Sequence, residues 1–229
     1  MPDAAPTTCP NCGTPQAGRY CPRCGQDNGR LELRLTTALV DAAQALFSVE
    51  GAMWRTVRGL TVHPGKVARD YLEGQRARYV HPVRYAILTC GLWWAAINFG
   101  LRNAGEIPPI LRHGNWLNLA MMPILVTGMW LPFLGGRRTW LQMLFVMLLA
   151  AGHIFLWRAP LALLGLVLPS AWGPAITIAD GIAAVLYTGC TLWFAYRGRA
   201  RWLLLRVLAA LAVFVVGTNG LIQLAIRLL

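Results

Sequence analysis

Four cysteines near the N-terminus form two matching knuckles, Cys9-Pro-Asn-Cys12-Gly and Cys21-Pro-Arg-Cys24-Gly. Thiolate sulfurs on two short loops are the ligand set of a tetrahedral metal site, and the glycine after each pair lets the backbone turn beneath the metal. Residues 9–25 are too few to fold by hydrophobic burial alone, so a metal ion or disulfides must hold them. We expect one structural zinc ion, bound by all four cysteines, with iron as the minor alternative.

A shell made only of cysteine leaves no coordination position for a substrate, so the predicted site is structural. Its basic and aromatic neighbours, Arg19, Tyr20 and Arg23, are too few for a nucleic-acid surface, and nucleic acid is not the expected partner. The chain has only nine Asp and Glu residues and no Ser/His/Asp set, phosphate loop or paired general-acid carboxylates. We therefore expect a protein that is not an enzyme.

Composition points to a membrane protein with a small polar head. The 229 residues are 56% hydrophobic and 13% charged, against about 25% charged in an average soluble domain. Charge is scarce after residue 82, where five apolar stretches are close to the roughly 20 residues that a bilayer requires. The expected fold is an all-α polytopic membrane protein with an N-terminal zinc ribbon, and its predicted spans are 83–101, 115–135, 139–157, 174–196 and 203–226.

The segments around these spans have distinct compositions. We assign residues 1–8 to a disordered leader, 9–25 to the ribbon, 26–35 to a polar linker, 36–82 to amphipathic helices with a basic end, and 83–229 to the transmembrane bundle. Residues 159–171 are apolar but short. A re-entrant or interfacial hairpin is expected there, and an extension of the third span is the alternative.

Residues 36–60 have the period of a helix, with Arg55 and Arg58 opposite an apolar face. Such a helix lies in the membrane interface or packs in the core, and the sequence leaves both interpretations open. The triplet His63-Pro64-Gly65 is predicted to break it. A second helix of two turns is expected over 66–73, ending at Gly74.

Orientation follows from the basic residues. If the N-terminus is cytoplasmic and the chain crosses five times, seventeen of the 21 Lys and Arg residues lie on the cytoplasmic side. Four thiols ready for a metal also require a reducing compartment, and no apolar signal-peptide region precedes them. We expect an integral membrane protein with its N-terminus in the cytoplasm and its C-terminus on the opposite side of the membrane. Anionic lipid headgroups then account for most of the net charge of +12.

A distinctive stretch follows the linker: Arg55-Thr56-x-Arg58-Gly-Leu60, then His63-Pro64-Gly65, then Tyr71-Leu-Glu-Gly74-Gln-Arg76-Ala-Arg78-Tyr79-Val-His81-Pro82. With the preceding knuckles, it resembles an uncharacterised family of bacterial inner-membrane proteins that join a short zinc ribbon to several transmembrane helices. The resemblance covers residues 9–95 and implies no activity. It implies a location in the bacterial inner membrane, so the expected N-terminus is cytoplasmic and the expected C-terminus is periplasmic. The five-span plan is similar to Yip1-type membrane proteins in layout alone.

The basic end of this stretch, which we call the collar, comprises Arg76, Arg78, Tyr79 and Arg84. Arginine forks bind phosphates and tyrosines anchor at the headgroup level. The collar, together with Arg55 and Arg58, is a candidate site for lipid phosphate or a protein partner. The alternative is a simple positive-inside anchor.

Four polar residues fall in the outer halves of predicted spans: Asn98, His153, Asp180 and Asn219. A charged Asp at depth costs several kcal/mol unless it is paired or hydrated, and His153 is the expected partner of Asp180. One interpretation is a periplasm-facing cavity for a substrate, proton or ion. The other is hydrogen bonding between packed helices.

These features favour a non-enzymatic function. The expected one is a membrane scaffold or regulator whose ribbon and collar dock a protein partner or anionic lipid. The alternative is a small transporter or lipid-handling protein that uses the outer polar residues His153 and Asp180. Membrane lipids and a protein partner or a second copy of the chain are the expected partners.

Overall fold

The computed structural model describes residues 8–15, 18–27, 51–100, 109–134, 139–196 and 202–228. Most of the predicted leader and linker, and residues 36–50 of the predicted amphipathic helix, lie outside these ranges. The described part beyond the ribbon is helical. Its helices are α1 (Gly51–Val62), α2 (Pro64–Leu72), α3 (Pro82–Gly100), α4 (Pro109–Ala120), α5 (Met122–Trp130), α6 (Trp140–Leu164), α7 (Gly173–Tyr196) and α8 (Leu203–Leu228).

The helical class expected from the sequence is confirmed within the described residues. Two of these helices, α6 with 25 residues and α7 with 24, are long and apolar enough to cross a membrane. Met122–Phe133 and Leu203–Gly217 are shorter apolar helical stretches. Among the residues that the structure describes, two of the five predicted spans, 139–157 and 174–196, therefore meet both criteria.

The predicted single span over 115–135 is two helices. α4 ends at Ala120 and α5 begins at Met122, with Pro123 in its first turn. Proline has no N–H to donate to the preceding turn and its ring clashes with the carbonyl there, so a continuous helix cannot pass through this point unchanged. Hydropathy alone does not register the break.

The segment 159–171, for which the sequence leaves a re-entrant or interfacial hairpin or an extension of the third span open, is helical in its first half. α6 starts at a capping box, in which the Thr139 hydroxyl accepts from the Gln142 N–H at 3.3 Å, and it runs through Pro160 to Leu164. Pro160 removes one intrahelical hydrogen bond, and the buried helix around it continues. A turn and a short 3-10 helix, Ser170–Trp172, then lead to α7.

α6 is the central helix of the molecule. Every residue from Met143 to Phe155 is buried, and α3 packs along it more extensively than any other helix pair in the described part. Gly152 permits this approach. A β-carbon there would lie 2.8 Å from Tyr85 Cδ1, closer than real β-carbons come, and 3.1 Å from Ala86 Cα, which is tighter than most real contacts.

The helices α1 and α2 belong to the same core. Leu60, Val67 and Tyr71 are buried in one cluster with Met143 and Phe145 of α6. One face of the described part of the amphipathic helix therefore packs in the core and the other, with Trp54, is exposed; a position in the membrane interface stays a prediction. The predicted break is present, but α2 begins at Pro64, two residues before its expected start.

The His63-Pro64-Gly65 triplet has a clear structural role. Proline is favoured in the first turn of a helix, where its missing N–H has no intrahelical acceptor. Gly65 faces α7 so closely that a β-carbon would lie 3.0 Å from the Phe194 Cα. Arg69, one turn further along α2, donates a hydrogen bond to the Phe194 carbonyl. The triplet thus turns the chain and lets α2 contact the backbone of α7.

We predict that Gly152→Ala lowers the free energy of unfolding by about 1–3 kcal/mol, because the added methyl group overpacks the α3–α6 contact. Thermal unfolding of the purified chain in detergent micelles measures this change. Gly181→Ala on α7 is the matched control, since a β-carbon there meets no atom within 4 Å. Equal melting temperatures for the two variants would contradict the packing described here.

Candidate functional site

The two cysteine knuckles fold as a pair of similar hairpins. In the first, the Cys9 N–H donates to the Thr14 carbonyl at 2.9 Å and the Gly13 N–H donates to the Cys9 carbonyl at 2.8 Å. The second repeats this pattern from Cys21 to Gln26, with both bonds at 2.9 Å. The glycines that follow the knuckles, Gly13 and Gly25, both have φ of +71°, a conformation that favours glycine.

The hairpins bring all four cysteine sulfurs within 4.8 Å of one another. Cys9 Sγ lies 3.6 Å from Cys24 Sγ, and Cys12 Sγ lies 3.5 Å from Cys21 Sγ. Tetrahedral zinc with bonds of about 2.3 Å separates its sulfur ligands by roughly 3.8 Å. The sulfur cluster therefore fits one such ion, and the residues that would hold it are the four predicted cysteines.

The thiols differ in how readily they lose a proton. The side chain and then the backbone of Thr14 hydrogen-bond to Cys12 and lower the pKa of its thiol to about 6, whereas burial raises the pKa of Cys24 to about 11. A metal ion must displace any remaining thiol protons, so its binding releases protons.

The ribbon surface carries little free positive charge. The Arg19 guanidinium forms an ion pair with Asp27 at 2.9 Å. Tyr20 is exposed, and Arg19 lies 5.3 Å from its ring centre. Arg23 is also exposed. The basic surface of the described ribbon therefore consists of Arg23 and an arginine that is already paired with a carboxylate.

Gln26 joins the ribbon to the rest of the protein. Its side chain is 5% exposed; it donates from Nε2 to the Gly74 carbonyl at 2.5 Å and accepts from the Ala77 N–H at 3.3 Å. Sequence reasoning missed this residue by placing it in the linker. A glutamine side chain that bonds to one backbone carbonyl and one backbone N–H cannot be recognised from the spacing of residues in the sequence.

The segment over 74–80 lies between α2 and α3, and other side chains also hold it. From α1, Thr56 Oγ1 accepts from the Val80 N–H at 2.9 Å, and Arg55 Nε donates to the Arg78 carbonyl at 3.2 Å. Gly74 begins the segment with φ of +102°, which ends α2 as predicted. These contacts explain the spacing of the Arg55-Thr56 and Gly74-to-Pro82 parts of the motif.

The predicted collar residues do not share one environment. Tyr79 is buried and donates to Asp70 Oδ2 at 2.9 Å, and Arg84 is 5% exposed. Arg78 is exposed, as are Arg55 and Arg58, and Arg76 is half-buried. Tyr79 therefore does not anchor at the headgroup level as expected, because its hydroxyl donates its hydrogen bond to the buried Asp70 carboxylate.

The expected pair of His153 with Asp180 is replaced by a different one. Asp180 Oδ2 accepts from Arg158 Nε at 2.8 Å and Nη2 at 2.7 Å, and Asp180 Oδ1 accepts from the Trp157 indole N–H at 2.9 Å. The sequence interpretation ended the third span at 157 and placed Arg158 in a loop. Because α6 continues to Leu164, Arg158 projects from a helix instead.

His153 belongs to a separate buried group. Its Nδ1 lies 2.9 Å from the Tyr85 hydroxyl and its Nε2 lies 3.3 Å from the Thr61 hydroxyl. Its ring stacks on that of Tyr187, with the centres 5.4 Å apart. Tyr187 in turn donates to the Leu60 carbonyl at 3.0 Å. His153 thus connects helices α1, α3 and α7 around α6.

The remaining two predicted polar residues do not join either group among the described contacts. Asn98 donates to the Trp94 carbonyl of its own helix at 2.9 Å. Asn219 lies within α8, and its side chain is outside the described set.

We predict that the purified full chain contains about one zinc ion per molecule, and that Cys12→Ser lowers this content because three thiolates bind the ion more weakly than four. Elemental mass spectrometry measures the metal. Cys190→Ser is the matched control, since Cys190 lies on α7 and outside the sulfur cluster. Equal zinc loss from both variants, or a wild-type chain without metal, would contradict the assignment.

We predict that Tyr79→Phe destabilises the protein by about 1–3 kcal/mol, because Asp70 loses a buried donor. Tyr20→Phe is the control, since Tyr20 is exposed. Burial, and then the bond to Asp70, raise the pKa of Tyr79 from 10.0 to about 12. The wild type should therefore lose this contribution as the pH rises from 10 towards 12, and a thermal unfolding series over that range should find a smaller loss of stability in Tyr79→Phe than in the wild type.

Comparison with known protein families gives one match: a family described as a protein of unknown function (DUF3667) matches residues 50–93. No zinc-ribbon or Yip1-type family matches the chain. No curated protein and no solved structure matches it either. The matched residues begin beside α1 and end within α3, and they include the 74–80 segment on which Gln26 is seated.

Proposed function

We propose that this protein is a non-enzymatic scaffold or regulator of the bacterial inner membrane, whose zinc ribbon and the exposed part of the collar together form a cytoplasmic docking surface. The bond between Gln26 and the 74–80 segment carries this proposal. It connects the metal-ligand hairpins directly to the part of the chain that matches a family. A ribbon attached in this way is a component of the surface rather than an independent tail.

The chemistry of the exposed residues supports a docking role. Arg55, Arg58 and Arg78 are exposed, and so is Trp54, at 68%. Arginine binds phosphate or carboxylate groups through its planar fork, and tryptophan is enriched at both protein interfaces and membrane boundaries. This surface suits an acidic protein segment or anionic lipid headgroups.

Two arguments support the cytoplasmic placement of this surface. Cysteine ligands keep their metal-binding form in a reducing compartment. The excess of basic residues on the N-terminal side of the membrane helices also follows the positive-inside rule. The N-terminus is therefore cytoplasmic and the C-terminus periplasmic in this proposal.

One observation favours the alternative function, a small transporter or lipid-handling protein. The Arg158–Asp180 ion pair borders a cavity of about 440 Å³ among the helices α5, α6, α7 and α8. Ionisable residues in membrane helices mark substrate or ligand sites more often than they serve packing alone.

We predict that a photo-cross-linking amino acid placed at position 54 captures a discrete protein or lipid adduct in native membranes. Adding Gln26→Ala should lower the yield severalfold, because the ribbon then loses its attachment to the 74–80 segment. Gel shift and mass spectrometry distinguish a protein adduct from a lipid adduct.

The same cross-linker at position 99 is the control for the site, because Phe99 is also an exposed aromatic residue but lies near the far end of α3. Adducts that are the same at both positions, or that persist unchanged in Gln26→Ala, would refute the docking surface. Recovery of the chain in the soluble fraction would refute the membrane placement.

A further inference from the structure

The Arg158–Asp180 ion pair lies beside two cavities: both residues line the first, and Asp180 alone of the pair lines the second. The first, of about 440 Å³, has mostly apolar walls that include Met122, Ile154 and Phe214. The second, of about 650 Å³, lies between α6 and α7 and is lined almost entirely by apolar groups such as Leu161 and Ile176. Asp180 lines both cavities. A polar centre beside two apolar cavities matches the layout of a two-chain lipid, in which one polar headgroup is joined to two acyl chains.

The polar centre is held in place from several sides. Arg158 uses Nε and Nη2 to bind Asp180, and its guanidinium lies over the Trp93 ring, 5.2 Å from the ring centre. The Trp157 indole orients the other carboxylate oxygen. Both side chains remain partly exposed, at 25% for Arg158 and 18% for Asp180. Each side chain can therefore contact a further group while its present hydrogen bonds and ring contact remain.

The depth of the pair suits a lipid headgroup. Arg158 lies six residues before the end of α6 and Asp180 seven residues after the start of α7. At about 1.5 Å per residue, both lie roughly 9–10 Å from these helix ends. Helices of 25 and 24 residues are about 36–38 Å long, so each end projects roughly 3–4 Å beyond a hydrocarbon layer of about 30 Å, and the pair then lies roughly 5–8 Å inside one boundary.

We propose that this site binds a zwitterionic phospholipid that carries a primary ammonium, with phosphate at Arg158, ammonium at Asp180 and one acyl chain in each cavity. Charge complementarity selects this occupant. An anionic headgroup would meet the Asp180 carboxylate, and a purely cationic one would meet the Arg158 guanidinium. A headgroup with both charges satisfies both residues, and its ammonium donates hydrogen bonds that a carboxylate accepts. The inference rests on the membrane placement proposed above.

The test uses the full chain purified in mild detergent and titrated with phosphatidylethanolamine, phosphatidylcholine or phosphatidylglycerol. Native mass spectrometry measures the bound lipid and thermal unfolding measures the resulting stabilisation. The wild type should bind phosphatidylethanolamine most tightly. Phosphatidylcholine should bind more weakly, because its quaternary ammonium has no hydrogen to donate to Asp180.

Variants separate ligand binding from a structural ion pair. Asp180→Asn should weaken phosphatidylethanolamine binding about tenfold, the factor expected for the loss of one charge-assisted hydrogen bond. It should also remove the preference over phosphatidylglycerol. Arg206→Gln on α8 is the control, because Arg206 does not line either cavity, and it should leave binding unchanged. Ala183→Phe narrows the second cavity and keeps the ion pair, so it should also weaken phosphatidylethanolamine binding. This variant tests the site if Asp180→Asn fails to fold.

Two results would overturn the inference. One is a wild type that binds the three lipids equally or prefers phosphatidylglycerol. The other is a set of variants whose lipid binding is unchanged while Asp180→Asn loses stability, which would make the pair purely structural. In either case the docking surface would stand if the chain remains in the membrane fraction. Recovery of the chain in the soluble fraction would instead remove the membrane placement on which both proposals depend.

Discussion

The backbone between α2 and α3 imposes the constraint on which much of the structure depends. Residues 74–80 are not part of an α-helix. A short 3-10 helix, Arg76–Arg78, and local backbone bonds pair some of their N–H and C=O groups, and the others need partners from elsewhere. Gln26 supplies both a donor and an acceptor, and Arg55 and Thr56 supply one each. The ribbon and α1 are thereby fixed on the same short segment. Removing either would leave buried polar groups unpaired, which costs more than the bond itself contributes.

The core is organised around α6, whose buried stretch contacts α1, α2, α3, α5 and α7. Close approach is needed on two of its sides. Gly152 admits α3, and the His153 ring bridges Tyr85 of α3 and Thr61 of α1. One turn of α6 thus provides both the space that α3 needs and a polar contact that joins α3 to α1. The helices that match a family and the apolar helices that follow form one packed unit for this reason.

The sequence was informative where the chemistry is local. The knuckle spacing predicted the sulfur cluster because four ligands on two short loops have few other arrangements. The helix break at Pro64 and the end of α2 at Gly74 followed from backbone restrictions of single residues. These features depend on a few neighbouring positions, and long-range packing does not alter them.

Long-range contacts were not predictable in the same way. Gln26 and Gly74 are far apart in sequence, and nothing in their local pattern indicates a bond. Arg158 was assigned to a loop because hydropathy falls at that residue, although α6 continues beyond it. The partner of Asp180 was therefore chosen by residue type and not by helix geometry. The break at Pro123 was missed because a hydropathy window averages over single residues.

The Gln26 contact has a thermodynamic consequence. If it forms only when the ribbon is folded, an ion held by the four sulfurs and a molecule bound at the collar influence each other's affinity equally, as linkage requires. A partner that favours the attached ribbon would tighten metal binding, and one that displaces Gln26 would loosen it by the same factor. An isolated ribbon peptide lacks this contribution. Its intrinsic metal affinity would therefore understate that of the intact chain.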